Sequence, residues 1–323
     1  MDYLSTILKP IQREFDEFKA HYSGLFSSSD SQIDTLLKFL LERKGKSMRP
    51  ILVLLVAACS GKVCRSIYNL ASSVELLHQG SLIHDDVVDE SAMRRGKPSV
   101  NQVFDNRMAV LLGDYVVSQA LQQITATGHL GCLDEISKLI GTLSHGEIIQ
   151  ISALDSQELS EQTYFEIISK KTAYLFSVSA KLSAILSGFS ESDADAFTVY
   201  AYNAGLCFQI MDDILDYHPS KETGKPHGND LREGKFTLPS IYALSHSERD
   251  WSSQIRSIRS LSASSQVMEE VTEYTISHGG IEYSVNKMAE LKQLAMNALP
   301  AGLPSELRSA FQSYLDLITD RIF

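Results

Sequence analysis

Cysteine is scarce in this chain. Cys59, Cys64, Cys132 and Cys207 are its only four among 323 residues, too few and too scattered for a disulfide framework, and none forms a CxxC pair with zinc-site spacing. A reducing cytoplasm suits such a sequence. Long hydrophobic runs are also missing. The longest, ILVLLVAAC from Ile51, falls far short of the roughly 20 residues of a membrane span, so no integral membrane segment is expected. The opening stretch MDYLSTILKPIQREFDEF lacks the basic region of a secretory leader. Positive charge is in deficit: 29 basic residues against 40 acidic ones give a formal charge of −11. That balance argues against nucleic acid or an anionic membrane as a partner and favours a multivalent cation.

Alternating strand-like runs and low-complexity tracts are nearly absent. What the chain has instead is helical spacing of apolar residues, as in LLKFLLE from Leu36, MAVLLGDYVVSQALQQI from Met108 and EIISKKTAYLFSVSAKLSAIL from Glu166. Gly and Pro cluster at short interruptions such as RKGKSMRP, RRGKPS and HPSKETGKPHGN, none long enough for an interdomain linker. The reading is a single all-α domain over residues 1–323, of about ten or more helices, several buried on most faces.

One internal echo stands out. LIHDDVVDE at 82–90 and QIMDDILDY at 209–217 share the order apolar, x, Asp, Asp, apolar, apolar, Asp. On a helix Asp85 and Asp89 are i, i+4 neighbours and Asp86 is an i, i+3 neighbour of Asp89, so three carboxylates converge. Asp212, Asp213 and Asp216 repeat the geometry. Like charges at this spacing destabilise a helix unless a counterion offsets them. Mg²⁺ fits, because it takes oxygen ligands and is typically held by one or two carboxylates with the phosphates of a substrate. Basic residues that could hold phosphate lie beside both clusters: Lys46 and Arg49 in GKSMRP, Arg94 and Arg95, Lys171 in KKTAYLF, and Lys225 and Lys235 in TGKPHGNDLREGKFTLP.

From GKSMRP through ELLHQGSLIHDDVVDESAMRRGKPSVN, KKTAYLF and FQIMDDILD to GKPHGNDLREGKFTLP, the sequence resembles the trans-isoprenyl diphosphate synthases of the polyprenyl synthetase family. The resemblance implies mostly antiparallel helices around a deep central cavity, with the two DDxxD motifs facing each other across its mouth. It implies that Asp85, Asp86, Asp89, Asp212 and Asp213 bind about three Mg²⁺ ions that bridge an allylic diphosphate, supported by Asp216. Arg94, Lys171 and Lys235 would grip that diphosphate, with Lys225 in a closing loop. Lys46, Arg49, His78 and Arg95 would hold isopentenyl diphosphate, and Thr172 and Gln209 would lie near the reacting carbons. Glu147 and Gln150 in HGEIIQIS match positions of supporting polar groups or of an interhelical hydrogen bond. Homodimers are known among such catalysts, so a homodimer is expected by analogy.

Gln79 and Gly80 depart from the family, where Thr and Ala are usual. Gly80 and Ser81 are also small where short-chain members carry bulky aromatics. Ser81 lies one turn below Asp85, about 6 Å by helix rise, with Leu77 and Val74 beneath it. An open path there, favoured by roughly 25 cal/mol per Å² of buried tail, gives an expected product of about six to ten isoprene units, suited to a quinone side chain. The alternative is a farnesyl or geranylgeranyl synthase, and a further reading is that the small pair only lets two helices pack closely. A di-iron carboxylate bundle is weighed on Glu75-x-x-His78, but no convincing second ExxH motif accompanies it. A terpene cyclase would not need both DDxxD motifs and GKSMRP, and an inactive partner subunit would be expected to lose the aspartates.

Overall fold

The computed structural model describes residues 3–42, 45–94, 96–217 and 228–320; Arg95 and Lys225 lie outside the described residues. In chain order the helices are α1 (Tyr3–Leu8), α2 (Gln12–Ser23), α3 (Ser31–Leu41), α4 (Met48–Ala58), α5 (Arg65–Val88), α6 (Val100–Phe104), α7 (Asn106–Thr125), α8 (Leu130–Leu154) and α9 (Glu161–Ile168). They continue as α10 (Tyr174–Leu186), α11 (Glu191–Leu215), α12 (Asn229–Arg232), α13 (Leu238–Ser245), α14 (Ser252–Arg259), α15 (Ser265–Ser277), α16 (Gly280–Ala298) and α17 (Ser305–Thr319). Among the described residues the one strand pairing is a small antiparallel hairpin, β1 (Met93–Arg94) with β2 (Lys97–Pro98). The all-α expectation is met.

Local chemistry sets several of the helix starts. The side chains of Asp30, Ser160 and Ser190 accept hydrogen bonds from backbone amides in the first turns of α3, α9 and α11, which satisfies donors that a helix leaves open. The apolar run from Ile51 becomes most of α4, where every residue from Met48 to Ala57 is buried. It needs no polar face because other helices surround it. The Tyr314 hydroxyl of α17 donates to the Met48 carbonyl at 2.9 Å, and Ser183 of α10 donates to the Val53 carbonyl at 2.7 Å. Each large aliphatic side chain buried this way contributes about 1.5–3 kcal/mol. Among the described residues no helix is long and apolar enough to cross a membrane.

Helix α5 packs closely on α7, and Gly80 lies at that contact. A Cβ placed there would meet Val117 Cγ2 at 2.9 Å and the Gly113 carbonyl oxygen at 3.4 Å. This corrects the expectation that Gly80 opens a path for a growing chain: the residue faces α7 and allows close helix packing. Val74 and Leu77 are likewise core residues, 0% and 2% exposed. Ser81 is half-buried and its hydroxyl donates to the His78 carbonyl at 2.9 Å.

Candidate active site

The two aspartate motifs sit at the C-terminal ends of α5 and α11, with Asp89 and Asp216 as the respective C-caps. A helix C-terminus carries partial negative charge, so acids there are doubly disfavoured and nearby cations are stabilising. The protein supplies some of them. Lys235 Nζ lies 3.2 Å from Asp89 and 2.7 Å from Glu233, joining the segment after the second motif to the first motif across 146 residues. Burial lowers the pKa of Lys235, but Glu233 and Asp89 outweigh it and hold the ammonium above its ordinary range. Arg94 Nε donates to Asp86 at 2.8 Å, and Asp86 is only 3% exposed.

Three carboxylates of the first motif were expected to converge on one patch, and the geometry revises this. Asp86 turns to Arg94, Asp89 to Lys235, and no described residue donates a hydrogen bond to the carboxylate of Asp85. The second motif is divided in the same way. Asp213, 4% exposed, accepts from the Tyr164 hydroxyl at 2.6 Å and from Gln209 Nε2 at 2.9 Å. Both oxygens of Asp216 accept backbone amides of Asn229 and Asp230, at 3.1 and 2.9 Å, and so cap α12. Burial pushes the Asp213 carboxyl up, as do Asp212 and Asp216, while its two hydrogen bonds oppose the rise. Asp230 is raised well above the usual range by burial and then by Asp213.

Lys171 and Thr172 are placed by a feature that the apolar spacing does not encode. Between α9 and α10 the backbone makes one π-helical turn, Ser169–Ala173, and such turns recur at functional sites because they re-aim side chains. Two glycines press against it. A Cβ at Gly205 of α11 would sit 2.6 Å from Ala173 Cα, and one at Gly146 of α8 would sit 2.8 Å from Lys170 Cβ. From this turn Lys171 Nζ pairs with Glu147 and donates to Gln150 Oε1 at 3.0 Å. Thr172 donates to Gln209 Oε1 at 2.8 Å, so Thr172, Gln209, Asp213 and Tyr164 form one hydrogen-bonded chain.

Lys171, Thr172, Gln209, Asp213 and Lys235 line one cavity of about 440 Å³. The second group of sequence candidates lies apart from that wall. Arg49 is 7% exposed, its guanidinium 4.7 Å from the ring centre of Phe176 and 5.9 Å from that of Phe208. His78 is half-buried and Lys46 exposed. Lys46 shares a smaller cavity with Glu75 and Gln79, and the following Ser47 adopts a left-handed backbone, φ 50°, a conformation that costs energy in a non-glycine residue. Tyr164 and Asp230 were missed by the sequence reading; Asp230 falls within the quoted GKPHGNDLREGKFTLP stretch, whereas nothing local marks Tyr164.

Among the described residues no three His, Cys, Asp or Glu side chains converge closely enough to hold a metal ion unaided. The donor chemistry nonetheless fits a hard cation that arrives with substrate phosphate, since Mg²⁺ needs only one or two carboxylates when phosphates and water complete its shell. Asp85 supports the fit. Burial pushes its carboxyl up to about 6; Lys171 counters the rise, while Glu147 and Asp89 add to it. An acid with a raised folded-state pKa binds its proton more tightly when folded, so it costs stability as pH climbs. Between about pH 4 and 6 the metal-free protein is therefore expected to lose stability that Asp85→Asn retains. Melting temperatures of both proteins across that window check this; parallel curves would refute it.

Similarity to known proteins agrees with this geometry. The family model for polyprenyl synthetase matches residues 30–275. The chain is 34% identical over 324 residues, 100% of this chain and 99% of the relative, to an all-trans-nonaprenyl-diphosphate synthase (geranyl-diphosphate specific) of Rhodobacter capsulatus. A solved polyprenyl synthase from Caulobacter crescentus CB15, complexed with calcium and isoprenyl diphosphate, superposes with a TM-score of 0.92 at 28% identity over 98% of this chain and 97% of that one. A geranylgeranyl pyrophosphate synthase from Bacteroides thetaiotaomicron superposes with a TM-score of 0.87 at 35% identity over 99% of this chain and 100% of that one. With an aspartate motif at the C-terminal end of each of two helices and a family match of this extent, the chain belongs to the polyprenyl synthetase family.

Proposed function

We propose that the protein is a Mg²⁺-dependent prenyltransferase that condenses isopentenyl diphosphate with an allylic diphosphate to give a long-chain all-trans-polyprenyl diphosphate. The observation that carries this reading is the set of acid–base pairs made by the motif residues and their basic partners, Lys171 with Glu147, Lys235 with Asp89 and Arg94 with Asp86, with Lys171 and Lys235 lining the main cavity. Asp85, Asp86, Asp89, Asp212 and Asp213 would hold the metal, with Asp216 supporting that cluster. Bound metal would supply charge neutralisation for the departing diphosphate. Lys171, Lys235 and Arg94 add fixed positive charge where negative charge develops, and Lys225 belongs to the same group by resemblance. Lys46, Arg49, His78 and Arg95 hold isopentenyl diphosphate. The allylic C–O bond breaks, the isopentenyl double bond attacks the resulting cation, and a proton passes to the departed diphosphate.

The Rhodobacter relative supports a long product, and the Bacteroides structure supports a geranylgeranyl one as the second reading. Incubation with labelled isopentenyl diphosphate, an allylic starter and Mg²⁺, followed by sizing of the product, decides between them. Chains of about six to ten units are expected, and a product ending at four would establish the second reading. Ser81→Phe is expected to shorten the product to about three or four units while starter is still consumed, because Ser81 lies one turn below Asp85. An unchanged distribution would place the limiting floor elsewhere. Cytoplasmic residence and a homodimer belong to the same proposal; Met108, Val110 and Leu111 of α7, 39%, 41% and 63% exposed, offer an apolar face that a second copy could cover.

A further inference from the structure

Three cations line the main cavity: Lys171, Lys235 and, at the end of α14, Arg259. The lysines are each paired with acids, Lys171 with Glu147 and Lys235 with Asp89 and Glu233. Arg259 has no ion pair with any described acid, although Glu158 stands in the same wall. It is half-buried. Its Nη2 donates to the backbone carbonyl of Glu158 at 3.1 Å, its guanidinium lies 5.6 Å from the ring centre of Phe236, and its Nε is buried without a hydrogen-bond partner. Arg256, one turn earlier, reaches Gln157 Oε1 at 3.4 Å but is exposed and outside the cavity wall.

A guanidinium that has lost part of its hydration and gained no counterion is an electrostatic deficit, which an incoming anion relieves. Its planar fork matches two phosphate oxygens at once. The contacts to Phe236 and the Glu158 carbonyl already fix the side chain, so less rotamer freedom is lost when an anion binds. Helix α14 adds a small opposing bias, because arginine at a helix C-terminus is partly stabilised by the dipole. That interaction is weakened by solvent and leaves the fork free to act.

We infer that Arg259, in the cavity it shares with Lys171, Lys235 and Asp213, forms a subsite that holds free diphosphate without metal. The inference rests on the proposed prenyl transfer for its ligand, since diphosphate is the group that reaction releases. It adds a resting place for the leaving anion within the same cavity, beside but not on the lysines.

The test is calorimetric titration of inorganic diphosphate into the full-length protein in EDTA, which removes metal-dependent binding. Wild type is expected to bind, Arg259→Gln to bind at least about tenfold more weakly, and Arg256→Gln to bind like wild type. Arg259→Lys keeps the charge without the fork and is expected to fall between, and it stands in should the Gln variant fold poorly. Geranyl diphosphate in EDTA forms a second arm, where Arg259→Gln is expected to make less difference than it does for inorganic diphosphate. Absence of binding in wild type, equal binding in Arg259→Gln, or a loss confined to geranyl diphosphate overturns the subsite. Turnover of wild type with Mg²⁺ is measured alongside: activity with no Arg259 effect refutes the subsite and leaves the proposed function standing, whereas no activity refutes the function even where Arg259-dependent binding is seen.

Discussion

Asp85→Ala is expected to lower turnover by about a hundred- to a thousandfold, the range seen when one preorganised group facing developing charge is removed. The argument is electrostatic. Asp85 is the acid of the first motif to which no described protein donor is committed, and burial already pushes its carboxyl up to about 6. It is tolerated in the folded protein at a cost, and a cation bound with diphosphate is what offsets that cost. The variant is therefore expected to fold at least as well as wild type above pH 6, because it removes a desolvated charge. It is also expected to lose the rise in melting temperature that Mg²⁺ plus diphosphate gives wild type, since a ligand stabilises only the state it binds. Near-normal turnover with an intact ligand-dependent shift would remove Asp85 from the metal site.

Gly205→Ala is expected to damage the site from behind. The new methyl would stand 2.6 Å from Ala173 Cα and 3.2 Å from Ala173 Cβ, and since one neighbour is backbone, no rotamer change relieves the overlap. Overpacking of this kind costs about 1–3 kcal/mol. The strain falls on the π-helical turn, so Lys171 and Thr172 move with it, and the Thr172–Gln209 hydrogen bond of 2.8 Å is the contact most exposed to a shift. Turnover should fall along with the melting temperature. A variant that melts with wild type would mean that α11 slides enough to absorb the methyl, and that the turn is not held in register by this contact.

The helical content and the two acidic clusters were legible because both depend on short-range spacing. Asp85 and Asp89, like Asp212 and Asp216, are four residues apart, and a helix fixes what that spacing means. The cross-chain pairings were not legible. Tyr164 and Asp213 are 49 residues apart and Lys235 and Asp89 are 146 apart, and no periodicity reports on contacts between elements. Gly80 shows the limit at close quarters. It and Ser81 are adjacent in sequence but about 100° apart around the helix axis, so the two need not face the same side, and only the position of α7 decided which side Gly80 takes. The turn at Ser169–Ala173 was hidden for a related reason: an added residue in a helix shifts the faces without breaking the apolar pattern of either flank.

The contact between Lys235 and Asp89 has a consequence for how ligands arrive. Asp89 has Lys235 as its counterion, while Lys235 is shared between Asp89 and Glu233. A diphosphate that takes Lys235 leaves Asp89 in need of a cation, and a metal that takes Asp89 leaves Lys235 with Glu233 alone and more open to a further anion. On the proposed reading, each ligand thus removes the competitor of the other, and the exchange conserves local charge while trading an internal pair for two external ones. Thermodynamic reciprocity then requires that Mg²⁺ strengthen diphosphate binding by the same factor as diphosphate strengthens Mg²⁺ binding, so the site behaves as a receptor for the salt rather than for either ion alone.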